Sequence, residues 1–177
     1  MLKVAVSTGL VAFARQVDSL NCDDRPPGCG PELIVIHGIS LPPDADPYFA
    51  TIQHLRVSSH VLIARDGTLT QYVPFHERAW HAGRSHWRGR GECNDFSVGI
   101  ELEGTDEEPY DDRQYETLAK LILALQQTYP MLADGWIAGH SDIAPGRKTD
   151  PGPAFDWRRL ERDLRVNGAR FRREVLA

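Results

Sequence analysis

The chain has 177 residues, 41% of them hydrophobic and 25% charged, with a formal net charge of -5. That length and balance suit a single soluble domain (1–177) whose core needs no staples. The acidic excess argues against nucleic-acid or anionic-membrane binding, which need a basic face.

Met1-Leu-Lys followed by VAVSTGLVAFA is short and interrupted by polar residues for an export signal. A short helix packing Leu10, Phe13, Ala14 and Val17 on the body is expected instead. No run approaches the ~20 apolar residues of a membrane helix. Cys22, Cys29 and Cys93 lack paired CxxC spacing and suit free thiols in a reducing compartment, with a Cys22–Cys29 bridge as the alternative. Turn-rich residues 21–31 lead into Leu33-Ile34-Val35-Ile36, which reads as a buried strand ended by His37. Residues 40–47 read as a loop. His60–Ala64 and Leu69–Val73 flank Arg65-Asp66-Gly67-Thr68, a hairpin signal.

Residues 79–95, rich in Gly, Arg and aromatics without a period, predict a loop. Ser97–Glu103 alternates, with Val98, Ile100 and Leu102 on one side and Gly99, Glu101 and Glu103 on the other, so it predicts a strand. Asp112–Tyr129 carries Tyr115, Leu118, Leu121, Ile122 and Leu125 at helical spacing. Asp111 and Gln114 supply a capping box at its start, and Pro130 ends it. Trp136-Ile137-Ala138 reads as a short strand before His140, and Phe155–Val166 as a closing helix. The sum is a mixed α/β fold, a central mixed sheet flanked by helices.

The stretch 139–157, GHSDIAPGRKTDPGPAFDW, predicts a rigid, irregular surface loop, because its three prolines each fix φ. His140, Lys148 and Asp150 within it suggest a metal with a cationic helper. His37 is placed like His140 at a strand end, and a catalytic zinc takes three protein ligands and leaves one position open. The residues alone leave a second reading equally open, that of two structural histidines far apart in sequence. Glu101 serves as a general base if its sheet face meets the metal, whereas Glu103 reads as solvated. Lys148 is either an oxyanion stabiliser or an exposed loop lysine. His81 is a candidate pocket residue, and His54, His60, His76 and His86 read as hairpin and loop residues. Cys93 has no activating surroundings. Basic residues beside Trp80 and Trp87 suit stacking of a sugar.

At these residues the chain resembles the zinc N-acetylmuramoyl-L-alanine amidases of type 2, and within them the cytoplasmic group that acts on 1,6-anhydro-muropeptides. The matching stretches are LIVIHGISLPP (33–43), HLRVSSHVLIARDGTLTQYVPFHERAWHAG (54–83), CNDFSVGIELEGTD (93–106) and GHSDIAPGRKTDPGPAFDW (139–157). The resemblance implies a Zn2+ site made by His37, His140 and Asp150, with Glu101 as general base and Lys148 stabilising the transition state. It also implies muropeptide contacts at Arg56, Trp80, Leu102 and Ala144. The implied reaction is hydrolysis of the amide between the muramic lactyl group and L-alanine, in peptidoglycan recycling. A cytoplasmic monomer with a muropeptide as its partner is expected. A non-catalytic peptidoglycan-recognition module and an amidase acting on intact murein are the competing readings. Three departures bear on the preference for the anhydro-sugar: Gly38 after His37, Glu92 where the family has Arg, and a short loop after Leu41-Pro42-Pro43.

Overall fold

The computed structural model of the chain describes residues 2–41, 48–51 and 53–174. The N-terminal segment is not a helix. Val4–Ala5 (β1) pairs antiparallel with Leu10–Val11 (β2). Gly9, at φ +66°, takes a left-handed turn that a helix does not allow. Val11 is buried, but Phe13, expected to pack, is 95% exposed. Arg15–Gln16 (β3) and Cys22–Asp24 (β4) follow.

Leu33–Ile39 (β5) continues through His37 rather than stopping there. After the short helix Tyr48–Thr51 (α1), Val61–Ile63 (β6) and Leu69–Gln71 (β7) pair antiparallel about Gly67 at φ +83°, the expected hairpin. The 79–95 region holds more regular structure than its composition predicts. Glu77–Ala79 (β8) pairs with β4, and His86–Trp87 (β9) forms a hairpin with Arg90–Gly91 (β10). Ser97–Glu103 (β11) and Asp112–Thr128 (α2) lie where the patterns put them, with the Asp111–Gln114 capping box formed. Ile137–Gly139 (β12) runs directly into a four-residue helix, His140–Ile143 (α3), and Trp157–Val166 (α4) closes the fold. The proline-braced stretch is thus partly helical, and Ile143 and Phe155 within it are buried in the core. All three cysteines are free thiols. Among the described residues no helix is long and apolar enough to cross a membrane.

The main sheet has the order β12-β5-β11-β6-β7-β3. β12, β5, β11 and β6 are mutually parallel, and β7 reverses. One face carries Ile34, Ile36, Val98, Ile100 and Leu102 against Leu118, Leu121, Ile122 and Leu125 of α2. Each of these fully buried side chains contributes about 1.5–3 kcal/mol. The opposite face presents Leu33, Val35 and His37 from β5 beside Ser97, Gly99 and Glu101 from β11, since the register pairs Glu101 with His37 and Gly99 with Val35. β12 pairs Gly139 with Ile36, so the next residue, His140, arrives alongside His37. Register, not sequence proximity, assembles the polar end of this face.

Candidate metal centre

Three ligand atoms meet at the C-terminal ends of β5 and β12. His37 Nδ1 lies 2.9 Å from His140 Nδ1, and Asp150 Oδ2 lies 3.1 Å from the second ring and 3.3 Å from the first. With bonds of about 2.0–2.1 Å, neighbouring ligands of a tetrahedral zinc sit roughly 3.3 Å apart, so the three span one face of such a tetrahedron. The His140 tautomer is set by its outer nitrogen. Nε2 faces the Ala82 carbonyl at 3.1 Å, and a carbonyl only accepts. Nδ1 therefore keeps a lone pair facing the other two ligands.

Asp150 is brought there by a tied loop. Ser141 N–H donates to the Asp150 carbonyl (2.9 Å), and the Tyr110 hydroxyl donates to the Pro151 carbonyl (3.0 Å). Gly152 has φ +79°, and a Cβ there would lie 2.4 Å from the Asp106 Cα, so the bend needs glycine. The turn bearing His140 has its own brace: Asp142 accepts from Gly139 N–H (2.7 Å) and from both arms of Arg173 (3.0 Å each). No sequence signal marked Asp142 or Arg173.

Glu101 is buried beside the trio, with Oε1 3.9 Å from His37 Nδ1. Its Oε2 is buried without a hydrogen-bond partner among the described residues. Burial, reinforced by the charge of Asp150 and opposed by Lys148, pushes its pKa up to about 8. Burial and the neighbouring His140 lower His37 to about 4, which keeps its ring neutral and able to ligate near pH 7. Burial acts to raise Asp150, but its close contacts with His140 and His37 outweigh it and hold that carboxyl below its ordinary range. Two imidazoles, a carboxylate and an orphaned buried oxygen form a donor set that fits one divalent cation.

Over these groups opens a groove of about 210 Å³ whose walls include Ile39, Tyr48, Val57, Trp80 and His81, with Lys148 at its edge. Arg56 stands outside, its guanidinium 5.8 Å from the Trp80 ring. The register turns the Leu102 side chain into the α2-facing core. Ala144 caps α3, its N–H bonded to the His140 carbonyl at 3.0 Å. Glu103, read as solvated, accepts the Arg65 N–H at 2.9 Å and so braces the β6–β7 turn. Gly38 lines the groove and Glu92 is exposed, whereas the loop read as shortened falls at 42–47, outside the described residues.

The sequence model of the N-acetylmuramoyl-L-alanine amidases matches residues 25–153. The 1,6-anhydro-N-acetylmuramyl-L-alanine amidase AmpD of Escherichia coli K12 is 53% identical over 170 residues, covering 86% of this chain and 92% of that one. A crystal structure of a selenomethionine AmpD derivative superposes with a TM-score of 0.79 at 50% identity, covering 89% of this chain and 97% of that one. The E. coli amidase AmiD, solved with anhydro-N-acetylmuramic acid-L-Ala-D-γ-Glu-L-Lys, gives 0.65 at 34% identity, covering 78% and 60%. With the family pattern spanning the strand of His37, the strand of Glu101 and the segment of Asp150, the chain belongs to the N-acetylmuramoyl-L-alanine amidase family.

Proposed function

We propose that the protein hydrolyses the amide joining the lactyl group of (1,6-anhydro-)N-acetylmuramic acid to L-alanine of the stem peptide, with zinc held by His37, His140 and Asp150, in cytoplasmic peptidoglycan recycling. The observation that carries this reading is the convergence of three ligand atoms beside a buried carboxyl with one unpartnered oxygen. A zinc ion bound there supplies Lewis-acid polarisation of the scissile carbonyl and a nucleophile at neutral pH. Glu101, whose Oε2 has no hydrogen-bond partner among the described residues, takes a proton there and returns it to the departing amine. Lys148, on the groove's edge, places a positive charge where negative charge develops on oxygen. Trp80 and Val57 offer an apolar wall for the sugar.

The relatives named for 1,6-anhydro-muramyl substrates, and AmiD solved with such a peptide, support the choice of substrate. The test is incubation of purified protein of measured metal content with anhydro-muropeptide and, separately, with intact sacculi. Peptide release from the anhydro-muropeptide and little from sacculi is the expected result. Release from sacculi alone would overturn the recycling role, and release from neither, with zinc bound, would overturn the hydrolytic one.

A further inference from the structure

His81 is engaged through both ring nitrogens, and its partners decide which one carries the proton. Ser97 Oγ lies 2.6 Å from the Cys93 carbonyl oxygen, a separation that needs a proton between the two oxygens. A carbonyl brings none, so the hydroxyl donates there. Its oxygen then accepts from His81 Nε2, 3.1 Å away. The buried ring has a hydroxyl and an imidazole, and no carboxylate, as its hydrogen-bond partners among the described residues, so it carries a single N–H. His81 Nδ1 is left with a lone pair 2.9 Å from His37 Nε2, which must donate to it. The lone pair of His37 then falls on Nδ1, the atom facing His140 and Asp150.

We infer that His81 and Ser97 are positioning residues, a relay anchored on the Cys93 carbonyl that locks His37 in its ligating tautomer. The inference rests on the metal centre proposed above. Two further observations show that the place for His81 is built. A Cβ on Gly99 would lie 2.4 Å from the His81 ring, so β11 keeps a side-chain-free slot under the imidazole. Asn94 Oδ1 accepts the backbone N–H of both His81 (3.1 Å) and Ala82 (2.8 Å). Ala82 is the residue whose carbonyl fixes His140. One dipeptide, pinned by one side-chain amide, therefore sets both imidazoles.

Two measurements test this. Long-range proton–nitrogen correlation spectra of 15N-labelled, metal-free protein report each tautomer directly and need no variant. His81 and His37 are both expected protonated on Nε2, and a proton on Nδ1 of His81 would overturn the relay. Zinc affinity, from competition with a fluorescent chelator, is expected to fall about 10–100-fold in His81→Leu, the usual cost of losing such an outer partner. His81→Gln, whose amide can accept from His37 and donate to Ser97, should recover most of it, and Ser97→Ala should weaken binding in the same direction but less. A leucine variant that binds as tightly as the parent, or a glutamine variant as weak as the leucine one, would defeat the inference. Failure of the parent itself to bind zinc would instead defeat the metal centre.

Discussion

Glu101 is the residue whose environment makes the most specific demand on solution behaviour. Its folded pKa of about 8 stands above the ordinary value of 4.5, so the folded protein holds this proton more tightly than the unfolded chain. Stability from this group is fully present below about pH 4.5 and drains away as pH rises towards 8. His37, lowered to about 4 from 6.5, works the other way and costs stability as pH falls through that range. Denaturant melts of the metal-free protein at pH 5 and pH 8 should therefore show Glu101→Gln losing less stability on going to pH 8 than the parent does. An identical loss in both would show that Glu101 is ionised throughout. Lys148→Ala should keep its metal, as judged by elemental analysis, yet lose about 10²–10³ in turnover. At this scale the sequence was only partly legible. The metal trio was readable through family resemblance, but His37 and His140 lie 103 positions apart, and spacing says nothing about rings brought together by parallel register. His81 was noticed only as a groove residue, because its role depends on the protonation of Ser97 and the bare backbone of Gly99.

Among the elements, α2 and β11 could be read directly, since each carries an unbroken period and a recognisable start. The capping box on α2 makes a modest claim on stability. Asp111→Ala removes a side-chain acceptor for the first helical N–H groups and should cost about 1 kcal/mol, lowering Tm by roughly 2–4 °C for a domain of this size. A thermal scan showing no change would mean that packing alone fixes the helix start. The N-terminal segment was misread for an equally physical reason. Leu10, Phe13, Ala14 and Val17 fit helical spacing, but Gly9 turns the chain left-handed, and Phe13, itself at φ +69°, points to solvent. Residues 79–95 were read as a loop because strands of two or three residues are too short to show a period.

For the molecule as a whole, the ligands come from three separate segments, two of them neighbouring strands, so the site exists only in the folded chain. Binding that favours the folded state raises stability by RT ln(1 + [L]/Kd), about 4 kcal/mol at a thousandfold excess over Kd. Zinc should accordingly raise Tm by roughly 8–16 °C, and a chelator should reverse the shift. A melting point indifferent to both would separate the trio from any metal.

The buried Gln71 side chain takes the Val11 N–H on its oxygen (2.8 Å) and gives its own N–H to the Gly9 carbonyl (2.8 Å), while β3 lies parallel along β7. The opening segment therefore works as a selvedge on the sheet. Trimmed back to about residue 17, the protein would keep every ligand but offer a raw hem of unpaired amides to its neighbours, so clumping, rather than loss of chemistry, would be the first symptom.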